Sequence, residues 1–142
     1  MDEMLLTENY EAFAQFIFYF MALIWLITMI LILSFWRIFG KAGELGWKSA
    51  IPFYNTYVYY KILHMSPLFG VYMIAFVLNI YSSGFVSILS YLCLLILYVY
   101  SNIQLSKAFR KLMWYAVGLT ILPFVFFPIL AYGSSDYEPE NL

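Results

Sequence analysis

Long apolar runs separated by short polar clusters dominate this chain, and the runs predict helices on the scale of a membrane. From Ala12 to Trp36 no residue is charged, a stretch longer than the roughly 20 residues that carry a helix across a bilayer. A first span is expected over 12–36. Between Lys61 and Lys107 the chain again has no Lys, Arg, Asp or Glu. One helix of that length would reach about 67 Å at 1.5 Å per residue, twice the depth of a bilayer core. Ser82-Ser83-Gly84 forms a compact turn signal within it. The tract thus predicts two spans, 67–81 and 85–105. A fourth follows Lys111 over 112–132 and ends at Gly133-Ser134-Ser135.

Between the first two spans the pattern changes. Residues 46–61 are rich in rings and bracketed by cations: Trp47, Lys48, Pro52, Tyr54, Asn55, Tyr57 and Lys61. Trp and Tyr favour the headgroup region, and Lys48 and Lys61 can reach anionic phosphates there. This reads as an interfacial segment, or one that dips into the membrane and returns at Pro52–Asn55. The fold expected is all-α: an integral membrane four-helix bundle, a single domain over 1–142, with this aromatic segment between spans one and two.

Charge orients the bundle. Arg37, Lys41, Lys48 and Lys61 form one basic stretch and Lys107, Arg110 and Lys111 a second. Asp2, Glu3, Glu8 and Glu11 precede the first span, Asp136, Glu138 and Glu140 follow the last, and only Glu44 breaks the pattern. Basic residues beside a span stay on the cytoplasmic side, so the chain is expected in the cytoplasmic (inner) membrane with both termini outside. A secretory signal would carry positive charge before its apolar segment, not acids. Composition agrees: 11% of residues are charged against roughly a quarter in soluble domains. Cys93 stands alone, which leaves no disulfide framework within one chain.

Few polar groups lie inside the spans. At 100° per residue, Ser87, Ser90, Tyr91, Tyr98, Ser101 and Asn102 share roughly a third of the third helix's circumference. Hydroxyls and amides in hydrocarbon seek partners, so this stripe is expected to face other helices. It either packs or walls a polar cavity; Leu94 and Leu95 interrupt it, which favours packing. No acid or base accompanies it, and a charged relay usually marks ion or proton transport. Pro123 and Pro128 each remove a backbone donor from the fourth span and are expected to kink its outer end.

Lys41-Ala42-Gly43, Gly46-Trp47 and Ile51-Pro52-Phe53-Tyr54-Asn55-Thr56-Tyr57 resemble the KAG-x-x-GW…IP-x-YN-x-Y core of a prokaryotic family of small multi-pass membrane proteins of unknown function. Leu105-Ser106-Lys107-Ala108-Phe109 is similar to its second inner motif, and 122–130 to its closing LPF-x-F-x-PIL element. Arg110-Lys111-Leu112-Met113-Trp114 departs from the glycine-rich stretch frequent there. The resemblance implies a membrane fold without an established activity.

Some members carry signal-peptidase-like names, but a serine–lysine dyad needs Ser and a deprotonated Lys together at the outer surface. The outer serines Ser82, Ser83, Ser134 and Ser135 have no base near them in this topology. One His and one Cys offer no acid–base pair or metal site, no cofactor motif is present, and no surface suits nucleic acid. The function expected is non-enzymatic: assembly in the lipid bilayer as a homo-oligomer or as an accessory subunit of a membrane complex. The alternatives are a small oligomeric channel or transporter for a neutral or polar solute, and a lipid-binding or immunity-type protein.

Overall fold

The computed structural model describes the backbone of residues 2–142 and the side chains of 10–140 and 142; the acidic groups of Asp2, Glu3 and Glu8 lie outside the described residues. Among the described residues the chain is all-helical. Its helices are α1 (Asp2–Lys41), α2 (Tyr54–Ile62), α3 (Ser66–Tyr81), α4 (Phe85–Ala108), α5 (Met113–Ile121) and α6 (Pro123–Tyr132), with 3-10 turns at Gly46–Ala50 and Pro139–Asn141. Two helices are long and apolar enough to cross a membrane, Tyr10–Lys41 and Phe85–Ala108; Ser66–Tyr81 and Pro123–Tyr132 are apolar but shorter. This is a coarser outcome than the four-helix bundle expected.

Three helices stop in the same way at one end of the molecule. After α1, Glu44 N–H reaches Phe39 O at 2.8 Å and Gly43 N–H reaches Gly40 O, with Gly43 at φ +78°. The same pair of bonds closes α2 around His64 and α4 around Arg110, both left-handed without being glycine. Each closure gives the last carbonyls a donor, the purpose of this cap. Lys41, Lys61, Lys107, Arg110 and Lys111 gather at this basic end. The far end is the α3–α4 turn, where Gly84 takes φ +64° and Asn79 donates to Ser87 O.

Beyond α1 the chain doubles back along it. Ser49 Oγ donates to Ile32 O at 3.3 Å, and Gly46 lies so close to the Trp36 indole that a Cβ there would meet the ring at 2.3 Å. The chain turns at Ile51–Phe53, where Phe53 rests on Phe76 with 5.5 Å between centroids. Helix α2 then returns to the basic end, packing Tyr60 against Phe69 and Tyr72. Phe76 stands ten residues along α3, so this first hairpin climbs about 15 Å, half a hydrocarbon core.

A second hairpin replaces the fourth span, and here the expectation is corrected. The helix over 112–132 breaks at Leu122 (φ −127°, ψ 61°) and α6 folds back on α5. Tyr115 donates to Phe126 O at 2.9 Å, and the Phe126 ring lies over Gly118, where a Cβ would meet it at 2.4 Å. Helix α6 then runs beside α1 in the same direction. Phe35 meets Phe127 at 4.8 Å, Arg37 sits over Tyr132, and Lys41 Nζ donates to Leu130 O, Gly133 O and Ser135 O at 2.8–3.0 Å. The C-terminal segment therefore ends among the bases: Glu138 pairs with Arg110, its N–H donates to Ala108 O, and Tyr137 donates to Ile62 O. The acids expected across the membrane from the basic stretches lie beside one of them. Missing Pro123 N–H, small Gly118 and the pull of Lys41 on the α6 terminus together favour reversal over a kink.

The core sits at the basic end, where α1, both hairpins and α4 converge on Ile38, Phe39, Val58, Leu63, Leu105, Phe109, Leu119 and Leu130. From Tyr10 to Ile30 no side chain of α1 is buried. In a Cys93→Ala background, cysteines at Ser134 and Lys107 should label from the same side of sealed vesicles and a cysteine at Ser83 from the other. Labelling of Ser134 and Lys107 from opposite sides would restore the single fourth crossing.

Candidate functional site

The two hairpins end at similar depth, and a cavity of about 330 Å³ lies between them against α4. The first hairpin brings Asn55, Thr56, Tyr59 and Tyr60 to it, α4 brings Leu94, Tyr98, Ser101 and Asn102, and the second brings Pro123 and Phe127. Phe35 and Tyr72 close the sides. Among the described residues no Asp, Glu, Lys, Arg or His lines it.

Asn102 organises the polar part. It is almost fully buried, accepts from the Tyr59 hydroxyl at 3.2 Å and donates to Thr120 Oγ1 at 3.3 Å. Thr120 passes its own proton to Ala116 O. One amide therefore bonds a residue from each hairpin, and both its oxygen and its nitrogen are used. Beside it, Tyr98 donates to Leu119 O at 3.3 Å. That carbonyl has no helical donor because the fourth residue on is Pro123. Asn55 and Thr56, half-buried on the cavity wall, have no side-chain hydrogen bond among the described residues. With the Tyr60 and Tyr72 hydroxyls, for which the same holds, they are groups free to bind something else.

The residues singled out in the sequence divide. From the polar stripe, Tyr98, Ser101 and Asn102 reach the cavity. Ser87, Ser90 and Tyr91 do not: Ser90 donates to Ser87 O in its own helix and Tyr91 is exposed. Of the seven residues singled out in the aromatic segment, only Asn55 lines the cavity. Pro52 is at the hairpin tip, Tyr54 and Tyr57 stack on one another, and Trp47 is exposed on the 3-10 turn. Lys48 and Lys61 both close on Glu44, which accounts for the one acid in the basic stretch. Thr56, Tyr59 and Tyr60 were missed. Asn55 with Tyr59 and Thr56 with Tyr60 are spaced i, i+4, so a helix begun just after Pro52 would have revealed them. Among the described residues no group of three His, Cys, Asp or Glu could hold a metal.

An all-helical chain with two helices long and apolar enough to cross a membrane, and two proline-tipped hairpins packed between them, belongs to the class of membrane-associated helical proteins. The chain is a member of the Family of unknown function (DUF5684), whose profile matches residues 47–139. That stretch holds both hairpins and every cavity residue except those on α1. Neither curated proteins nor solved structures give a match.

Tyr59→Phe and Asn102→Ala, separately and together, should show a coupling of about 0.6 kcal/mol in detergent unfolding, the average for such bonds in membrane proteins; strict additivity would mean the bond does not form. The Glu44 carboxyl is held below its usual range by hydrogen bonds from Lys48 and then Lys61. A depressed folded-state value adds stability that is complete above the ordinary value of 4.5 and is lost as pH falls through the folded one. Wild type should therefore melt above Glu44→Gln at pH 7, and the gap should shrink steadily in acid. A gap independent of pH would place the effect elsewhere than in the ion pairs.

Proposed function

We propose that this protein is a non-enzymatic multi-pass protein of the cytoplasmic membrane that binds a small uncharged solute in its cavity and admits it through the bilayer. One observation carries this reading: the unpartnered Asn55 and Thr56 side chains face the Asn102 network between two half-depth hairpins. Irregular backbone at membrane depth is tolerated where it is buried in protein or lines a cavity. Interrupted helices in two parts of a chain commonly mark a binding site near the midplane.

In this reading α1, α3 and α4 cross the membrane and both hairpins enter from the cytoplasmic side. The bases at one end then face inward, with the N-terminus outside and the C-terminus inside. The cavity is near the lower limit for small-molecule sites. Its aromatic walls suit an apolar body, and its amides and hydroxyls suit one or two uncharged polar groups. Without an ionisable partner the movement is passive, since coupled transport draws on intramembrane charge.

Enzymatic use of Ser135 beside Lys41 is disfavoured by the lysine's bonding. Its nitrogen turns to three carbonyls, each of which accepts an N–H, and an ammonium so held has no lone pair with which to take a proton from serine. A second reading, assembly as a homo-oligomer or beside another membrane subunit, is supported by α1, whose outer half offers Phe13, Phe16, Trp25 and Met29 to its surroundings.

The test combines access and flux. In a Cys93→Ala background, cysteines at Thr56 and Ser101 should react with small hydrophilic reagents, and one at the lipid-facing Ile96 should not. Proteoliposomes should pass neutral polyols, from glycerol to sorbitol, faster than empty vesicles. Thr56→Trp, which fills the cavity, should remove the difference. An unreactive Thr56 position with no excess flux would leave assembly as the better reading.

A further inference from the structure

A second concavity, independent of the solute cavity, lies at the basic end between α1 and α6. It measures about 720 Å³ and is lined by Leu33, Trp36, Arg37, Lys41 and Tyr132, with a low floor at Gly40, Gly46 and Ala131. The two cations in it are not equivalent. Lys41 turns its ammonium to three carbonyls and feels the charge of Asp136. Arg37 makes no ion pair among the described residues; its guanidinium lies 5.4 Å from the centroid of the Tyr132 ring. Of the other cations, Lys48 and Lys61 share the single carboxylate of Glu44 and Arg110 pairs with Glu138; Lys107 and Lys111 make no ion pair among the described residues either, but neither lines this groove.

Arg37 is also the end of an apolar track. Leu33, Ile30 and Leu26 follow it up α1 at steps of four, three and four residues, and all three are exposed. Such spacing stacks them on one face of the helix. Trp36 beside them is half exposed, the setting of an indole at a membrane–water boundary. An open guanidinium, an interfacial indole and a continuous apolar stripe match the order of groups along a phospholipid. Guanidinium recognises phosphate oxygens through paired hydrogen bonds. A soluble phosphate would have no use for the stripe, and a zwitterionic headgroup brings its own cation.

We infer that the groove between α1 and α6 is a binding site for an anionic phospholipid, with Arg37 on the phosphate and an acyl chain along Leu33, Ile30 and Leu26. The site does not depend on what the hairpin cavity binds. With Trp25, Trp47 and Trp114 changed to Phe, Trp36 becomes the sole tryptophan and reports on lipid in the groove. Brominated phosphatidylglycerol should then associate about fivefold more strongly than brominated phosphatidylcholine, the factor for one basic residue at an anionic surface. Arg37→Gln should bring the ratio to one, Arg37→Lys should keep most of it, and Lys61→Gln at the same end should leave it intact. Equal quenching by the two lipids would overturn the assignment, as would an unchanged ratio in Arg37→Gln. Displacement of the brominated lipid by millimolar inorganic phosphate would identify a free-anion site and overturn the lipid as its occupant.

Discussion

Breaking a helix inside a membrane strands backbone carbonyls where no water can reach them, and each stranded group costs several kcal/mol. In this chain the carbonyls freed at the ends of two helical hairpins are taken up by side chains from elsewhere. Lys41 serves the end of α6, Tyr98 serves the carbonyl that Pro123 leaves without a donor, and Tyr137 serves the end of α2. Tyr115 ties the two arms of the second hairpin directly. Phenols suit such positions because they bring one donor at the tip of a large apolar body, so the carbonyl is met without introducing charge.

The cavity is a by-product of the same arrangement. Two hairpins that rise only half-way leave space above the core at the basic end, and α4 supplies the wall they share. Asn102 sits where both can be reached, and its amide has enough donors and acceptors to bond each of them. With one donor and one acceptor of that amide engaged, Asn55 and Thr56 on the first hairpin are the lining amide and hydroxyl left without a side-chain partner among the described residues. Glycine sets how closely each hairpin folds: at Gly46 and Gly118 an aromatic ring occupies the place of a Cβ.

Much of the helical architecture was legible because length and hydropathy suffice for it. The α3–α4 reversal at Ser82–Gly84 needed only a turn signal in a tract too long for one helix. The second hairpin was not legible by those means, since residues 112–132 have the same apolar length whether they cross or turn back. Gly118 five residues before Pro123 was the local clue, but the decisive partner is Lys41, far away in sequence. Charge misled at the C-terminus because Glu138 reads as an outer acid until Arg110 is seen beside it. For the site, Asn55, Tyr98, Ser101 and Asn102 could be picked out as polar groups among apolar ones. Ser87, Ser90 and Tyr91 have the same periodicity, and only the tertiary packing separates them from the residues that line the cavity.

The lysine that holds α6 stands 94 residues before the last carbonyl it binds, Ser135. Contacts of such long range form late, after local ones have been made. During synthesis α1, the first hairpin and the α3–α4 pair can all settle while the second hairpin is still unmade. The second hairpin, which brings Pro123 and Phe127 to the cavity, thus emerges after its other walls. A chain stalled before that point would leave Asn102 without its Thr120 partner and the cavity open on one side.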